Sequence, residues 1–118
     1  MNLVLTVVVG EKYHRISKFT LPSIIEYSKK IGAECIVLSE EHIKGEESPH
    51  WLKFRIYEYL KKYNRVLFLD ADLIVRPDTP NLFDVVPETE IGIFNEAAFT
   101  NRVPCIQELM QVYGFVPP

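Results

Sequence analysis

Three mostly apolar runs, rich in β-branched residues, alternate with segments of helical periodicity. The runs at 3–9 (LVLTVVV), 34–38 (ECIVL) and 65–75 (RVLFLDADLIV) predict strands that are largely buried on both faces, as in parallel sheets. A shorter fourth strand is predicted at 91–94 (IGIF). Strands that alternate with helices predict an α/β fold with a largely parallel sheet.

The first helix is predicted from about residue 16 to residue 30, after a loop at 10–15. Pro22 is expected to mark a first turn or a kink. The segment 39–48 (SEEHIKGEES) is polar and acidic, which predicts a mobile loop. The first helix, at 16–30, is predicted from apolar residues at roughly helical spacing: Ile16, Phe19, Ile24 and Tyr27.

Two further helices are predicted from their end signals. Ser48 is a good N-cap and Pro49 suits the first helical position, which predicts a helix over 49–63. The last helix is predicted at 104–113, with Gly114 as its stop. The inward stripe of the helix at 49–63 is predicted to comprise Leu52, Ile56, Tyr59 or Leu60, and Tyr63.

Composition narrows the class of protein. A chain of 118 residues with 47% hydrophobic residues suits one domain, predicted to span 1–118. The net charge of -3 gives no global basic field, so nucleic acid is not an expected partner. The apolar run at 3–9 is too short to span a bilayer and follows no basic segment, which predicts a cytoplasmic protein. Cys35 and Cys105 are isolated and are expected to be reduced, mostly buried thiols.

Asp70 and Asp72 interrupt the third apolar run. Burying an unpaired carboxylate costs several kcal/mol, so a chemical reason is expected. In an extended chain, residues i and i+2 point the same way, roughly 6.5–7 Å apart, and would converge on one Mg²⁺ or Mn²⁺ shared with substrate phosphates. The structural alternative is that both aspartates cap turns or pair with Arg76 or Lys53.

The segment WLKFRIYEYLKKYNRVLFLDADLIVRPDTPNLFD resembles the nucleotide-sugar-binding core of GT-A glycosyltransferases, in particular the glycogenin-like family 8 enzymes. Those enzymes carry a lysine in the helix before the strand, then a DxD motif, then a turn leading to a Leu-Phe pair. The matching residues are Lys53, Asp70-Ala71-Asp72 and Leu82-Phe83. The first strand and the tyrosine after it, in VVVGEKYHRIS, are similar more weakly.

This resemblance implies a GT-A, Rossmann-like sheet flanked by helices and shortened on the acceptor side. It implies metal-dependent glycosyl transfer from a nucleotide sugar, most simply a UDP-sugar, to a saccharide, protein or lipid acceptor. Asp72 would bind Mn²⁺ or Mg²⁺ directly, and Asp70 would contact the metal, the ribose or both. The metal would bridge the diphosphate and act as a Lewis acid. The implied catalytic residues are Asp72 and Lys53, and the implied nucleotide-sugar-binding set is Val8, Gly10, Tyr13, Lys53, Asp70, Ala71 and Asp72.

Several of these residues have a plainer interpretation. Lys53 would be a solvated helix lysine, and Tyr13 would pack over a strand end instead of lying against the base. Trp51 is expected to pack in the core, although stacking on a sugar is the alternative. Asn95 and Glu96 follow the predicted fourth strand and would reach the donor sugar from the same edge of the sheet as Asp70 and Asp72. The three histidines show no metal-ligand spacing and are expected at the surface: His14, His42 and His50.

One part of the family pattern has no counterpart. Family 8 enzymes place a third metal ligand, a histidine, far downstream of the DxD motif, and no histidine follows Asp72 here. The chain is therefore a truncated piece, a minimal relative that completes its site by association, or a protein that binds nucleotide sugar without transferring it. An exposed sheet edge would favour self-association, so a homodimer is predicted.

Two other functions compete with glycosyl transfer. The first is a non-catalytic nucleotide-sugar-binding or assembly module derived from a GT-A fold. The second is a haloacid-dehalogenase-like phosphatase, in which an apolar strand also ends in DxD. Phosphatases of that type continue with Gly-Thr and place the motif on the first strand, whereas Leu73 and Ile74 follow the motif here.

Overall fold

A three-stranded parallel sheet forms the centre of the molecule. The computed structural model describes residues 1–45, 48–93 and 99–114. The strands are β1 (Leu3–Val7), β2 (Glu34–Leu38) and β3 (Val66–Phe68), in the order β2-β1-β3. Val4 lies opposite Cys35 on one side and Leu67 on the other. The predicted α/β fold with a parallel sheet is confirmed.

The third strand is much shorter than its apolar sequence predicts, so the strand prediction for 65–75 is wrong beyond Phe68. The ladder extends only to a hydrogen bond from the Leu69 amide to the Leu5 carbonyl, at 3.0 Å. β3 pairs with β1 alone, and β1 gives way to a turn at Gly10, where φ is 89°. The last two residues of β1, Thr6 and Val7, pair with β2 only, although β1 extends beyond the end of β3. The fourth strand is also wrong for residues 91–93, which form no strand, while residue 94 lies outside the described residues.

The first helix, α1, spans Glu11–Lys30 and replaces the loop predicted at 10–15. The residue before the helix is held by a distant segment, because the Glu40 carboxylate accepts the Gly10 N–H at 2.8 Å. Pro22 lies inside the helix, and Phe19 is 79% exposed, which contradicts its predicted inward position. The buried side of α1 carries small polar residues beside two large ones: Ser17, Thr20, Ile24, Tyr27 and Ser28.

The segment predicted as one α-helix over 49–63 is mainly a 3-10 helix. This 3-10 helix spans Pro49–Arg55, and a single α-helical turn, α2, follows at Ile56–Tyr59. Ser48 stands at the N-cap and Pro49 begins the helix, as predicted, although the Ser48 side chain makes no capping bond. The inward residues contact the core as predicted, with Tyr59 chosen over Leu60: Leu52, Ile56, Tyr59 and Tyr63.

Trp51 contradicts its predicted place in the core. Its side chain is 57% exposed and contacts Phe54, with ring centroids 5.4 Å apart. A 3-10 helix has about three residues per turn, so Trp51 and Phe54 share one outward side, and Tyr57 in α2 is exposed as well. The α-helical spacing assumed from the sequence does not predict that side.

The apolar core covers one face of the sheet and α1 covers the other. Leu3, Leu5, Leu38 and Leu52 are fully buried in one cluster, so the 3-10 helix packs on the face to which Leu3 and Leu5 point. Side chains alternate along a strand, which turns Val4, Thr6 and Val8 toward α1. Two layers of helix around a parallel sheet are the usual solution for burying such strands.

Two short helices follow the sheet. α3 spans Leu82–Val85 and is held by the Arg65 guanidinium, which donates to the carbonyls of Phe83 and Val86. α4 spans Val103–Tyr113 and ends at Gly114, where φ is 71°, so the predicted stop is confirmed. Among the described residues, no helix is both long enough and apolar enough to cross a bilayer.

The remaining predictions concern the cysteines and the acidic loop. Both cysteines are free, as expected, but Cys105 is exposed, which contradicts the prediction that it is buried. Cys35 is half-buried, and this burial raises the pKa of its thiol. Within the segment predicted as a mobile loop, Glu40–His42 form a 3-10 turn, and residues 46 and 47 lie outside the described residues.

Candidate functional site

A cavity of about 230 Å³ opens at the carboxyl edge of the sheet. The chain crosses from β2 on one side of β1 to β3 on the other, so the strand order reverses around β1. Ligands of open α/β sheets bind outside the carboxyl ends of strands at such a point. Three walls enclose the cavity, formed by the end of β1 with the start of α1, by the 3-10 helix, and by the segment after β3. The lining residues are Val7, Val9, Tyr13, Pro49, His50, Lys53, Phe68, Asp70, Ala71 and Asp72.

Asp70 and Asp72 both line this cavity, although not through the geometry predicted for them. They follow β3 without belonging to it, and Asp72 lies in a turn. The expected parallel orientation of residues i and i+2 in a strand therefore does not apply. Both carboxylates are exposed, while Ala71 between them is 4% exposed. The buried alanine anchors the motif and leaves both acids facing solvent.

Lys53 stands against Asp70 at the cavity wall. Its Nζ lies 3.3 Å from Asp70 Oδ1, and their side chains are 49% and 59% exposed. The same ammonium lies 5.7 Å from the centroid of the Phe68 ring. Arg76, the other partner considered for the aspartates, pairs with Asp78 at 2.8 Å. Lys53 is thus a surface lysine that nonetheless projects into the cavity.

His50 is a lining residue that the sequence did not indicate. Residues three apart align along a 3-10 helix, so His50 and Lys53 share one side of it. Read as an α-helix, the segment places residues 50 and 53 less directly in line. The useful signal was Pro49 at the first helical position, which fixes where the helix starts, but nothing in the sequence specifies its 3-10 geometry.

The other residues of the implied binding set fall in different places. Tyr13 lines the cavity from the first turn of α1. Val8 is buried and does not line the cavity, which contradicts its implied role; its neighbours Val7 and Val9 line the cavity instead. The Gly10 amide is already engaged by Glu40. Asn95 and Glu96, expected on the same rim, lie outside the described residues.

Glu40 is a second residue that sequence reasoning missed. Its carboxylate accepts the Gly10 amide at 2.8 Å and lies 2.8 Å and 3.0 Å from Nε2 of His14. The Gly10 bond is the main reason that the pKa of Glu40 falls from its ordinary 4.5 to about 2, with its own amide and His14 adding to the effect. Glu40 is therefore ionised at neutral pH, where it contacts Gly10 and His14 at the start of α1.

The cavity offers oxygen ligands for a hard divalent cation. Among the described residues, no group of three or more His, Cys, Asp or Glu side chains could hold a metal ion. Asp70 and Asp72 together form a pair of carboxylates open to solvent. Mg²⁺ is commonly held by one or two carboxylates together with substrate phosphates, so two acids fit a cation that arrives with a diphosphate.

The fold and site define a parallel α/β domain with paired carboxylates at its ligand-binding edge. The family model described as Glycosyl transferase family 8 matches residues 8–108, so the chain belongs to glycosyl transferase family 8. The resemblance drawn from the DxD segment is thereby confirmed, and glycosyl transfer is favoured over phosphatase chemistry. Comparison with curated proteins and with solved structures gave no match.

Proposed function

We propose that this chain is one nucleotide-sugar-binding domain, spanning 1–118, that catalyses metal-dependent glycosyl transfer from a UDP-sugar. The observation that carries the proposal is the convergence of Asp70, Asp72, Lys53 and Tyr13 on one cavity at the switch point of the sheet. Family membership supports glycosyl transfer in general. The carboxylates and the lysine of the cavity support the finer proposal of a UDP-sugar donor and a divalent cation.

Asp72 and Asp70 would hold Mn²⁺ or Mg²⁺ through their exposed carboxylates. When bound, the cation acts as a Lewis acid that neutralises charge on the departing nucleoside diphosphate. Lys53 adds a positive charge beside the diphosphate, since its ammonium already projects into the cavity. This ammonium pairs with Asp70 across 3.3 Å, and it would be available to phosphate oxygens once Asp70 held a cation.

The remaining members of the set would shape the nucleotide pocket. Tyr13 presents its ring to the base from the start of α1. Gly10 lets the chain turn sharply at φ 89°, a conformation that side chains rarely adopt. Val8 and Ala71 would contribute through packing and backbone, because their side chains are almost fully buried.

Release of UDP from a UDP-sugar, measured with and without Mn²⁺, tests this proposal. Water serves as the acceptor where the natural acceptor is unknown, so slow hydrolysis is the expected activity. Asp72→Asn should abolish the metal-dependent release and leave the fold intact. Asp78→Asn is the matched control, because Asp78 is exposed on the same segment and pairs with Arg76 outside the cavity.

Two results would redirect the assignment. UDP binding without any release of sugar would make the chain a non-catalytic binding module. Equal release by wild type and Asp72→Asn would remove the metal role of the motif. The acceptor, whether saccharide, protein or lipid, is then sought by adding candidates to the same assay.

We also propose self-association through the sheet edge. β3 is an edge strand of the described sheet and pairs only with β1, which leaves its outer side open. Size-exclusion chromatography with light scattering should show a homodimer, and a monomer at high concentration would contradict it. The cytoplasmic location expected from the sequence stays a prediction.

A further inference from the structure

One side of α1 is hydrogen-bonded to the backbone of the segment that follows the aspartates. Its hydroxyl and ammonium groups recur at helical spacing and contact successive peptide groups between residues 71 and 82. From donor to acceptor, the contacts are Thr20 Oγ1 to the Ala71 carbonyl, the Val75 amide to Ser23 Oγ, Lys30 Nζ to the carbonyls of Pro77 and Thr79, the Tyr27 hydroxyl to the Pro80 carbonyl, and the Leu82 amide to the Tyr27 hydroxyl.

The contact nearest the site is the bond from Thr20 to Ala71. The hydroxyl oxygen lies 2.5 Å from the Ala71 carbonyl oxygen, and the two residues are 5% and 4% exposed. The same hydroxyl is 3.4 Å from the Ile16 carbonyl, a much longer contact within the helix. A hydroxyl has one proton to donate, so the short contact to Ala71 takes it.

This bond acts where the sheet no longer holds the chain. The last ladder bond joins the Leu69 amide to Leu5, so the peptides of the DxD motif lie beyond the sheet. The Ala71 carbonyl and the Asp72 amide belong to one planar peptide unit, and fixing the carbonyl fixes the direction in which the chain enters Asp72. Asp70, on the other side of Ala71, is held through its carboxylate by Lys53.

We infer that Thr20 is a positioning residue for the metal site, whose hydroxyl sets the orientation of Asp72 relative to Asp70. The inference rests on the proposed function, since it assigns Thr20 a role in cation binding at that same cavity. Thr20 itself does not line the cavity. Its effect is therefore exerted through the Ala71 peptide.

UDP binding measured by calorimetry over a series of Mn²⁺ concentrations tests this role. Thr20→Val and Thr20→Ala both remove the hydroxyl but differ in volume, whereas Thr20→Ser retains it. Groups that orient metal-binding side chains typically change metal affinity about 10- to 100-fold when removed. We expect the half-saturating Mn²⁺ concentration to rise by about that factor in the Val and Ala variants and to stay near wild type in Thr20→Ser.

Thr6→Val is the matched control. Thr6 is fully buried on the sheet face that α1 covers, and its hydroxyl has no hydrogen-bond partner among the described residues. The same change of chemistry there should leave the Mn²⁺ dependence unaltered. Circular dichroism of each variant establishes that it is folded.

The results of this titration distinguish failure of the proposed function from failure of the role inferred for Thr20. Wild-type protein that binds no UDP with Mn²⁺ would overturn the proposed function and this inference together. Wild-type binding that Thr20→Val and Thr20→Ala retain at unchanged Mn²⁺ would overturn the inference alone. Loss of the fold in both hydroxyl-free variants would assign Thr20 to the core and overturn it as well.

Discussion

Tyr27 makes the strongest test of how α1 holds the segment after the aspartates. Its ring is 3% exposed, and its hydroxyl donates to the Pro80 carbonyl at 2.8 Å and accepts the Leu82 amide at 3.0 Å. Tyr27→Phe keeps the ring and removes both bonds. Each neutral hydrogen bond contributes about 0.5–1.5 kcal/mol net, so the loss should be about 1–3 kcal/mol.

Urea unfolding followed by circular dichroism measures this loss as a lower midpoint at unchanged slope. Tyr63→Phe provides the matched control, because the Tyr63 hydroxyl makes one exposed bond to Glu34, at 2.8 Å. Surface changes of that kind usually stay within about 0.5 kcal/mol. A Tyr27→Phe protein no less stable than Tyr63→Phe would refute the claim that these bonds anchor the segment.

Four further predictions concern single residues. Thr6→Val should raise the free energy of unfolding by about 1–2 kcal/mol in urea titrations, since the Thr6 hydroxyl is buried without a partner in the described structure. Glu40→Gln should lower stability at pH 7. Since folding lowers the Glu40 pKa from 4.5 to about 2, its contribution is present above pH 4.5 and lost as pH falls toward 2, where urea midpoints of wild type and variant converge. Arg65→Ala should cost about 2–3 kcal/mol through lost charged bonds to the α3 carbonyls, with Arg65→Lys less affected in the same titration. Trp51, the single tryptophan, should be readily quenched by acrylamide in the folded protein because it is 57% exposed, and a strongly protected fluorophore would contradict its position.

The parts of the fold that the sequence predicts well are those determined by neighbouring residues. β2 has the predicted bounds because a short β-branched run needs only a central strand beside it. Gly114 ends α4 because a left-handed residue is required there, and glycine adopts that conformation most readily. Leu52 is buried under either helical geometry, since it faces the sheet at the start of its segment.

The predictions that are wrong concern elements whose bounds depend on contacts with residues distant in sequence. α1 starts at Glu11, directly after Gly10, whose amide is bonded to the carboxylate of Glu40, thirty positions later in the chain. β3 ends at Phe68 although β1 continues to Val7, and the chain after β3 is held instead by α1, where Thr20 donates to the Ala71 carbonyl. No local pattern in the apolar run reveals that contact. Phe19 lies outside the buried side of α1 because that side carries small polar residues as well as large ones. Thr20 donates to the Ala71 carbonyl of a distant segment, while Ser17 and Ser28 donate to carbonyls within α1.

For the candidate site, the sequence predicts which acidic residues take part but not their geometry. Asp70 and Asp72 were identified because acids inside an apolar run are conspicuous, and the cavity does bring them together with Lys53 and Tyr13. Their strand geometry was wrong because they lie past the end of β3. His50 was missed because its place beside Lys53 follows from a 3-10 helix, whose weaker hydrogen-bond geometry usually limits it to short pieces and argues against predicting one.

Calorimetric titration of UDP into the wild-type chain, with and without Mn²⁺, tests the central claim most directly. We predict binding only when Mn²⁺ is present, because Asp70 and Asp72 leave the cavity repulsive to a diphosphate until a divalent cation joins them. Binding of equal strength without Mn²⁺, or none under either condition, would contradict the assignment of this cavity as a metal-dependent nucleotide-sugar site.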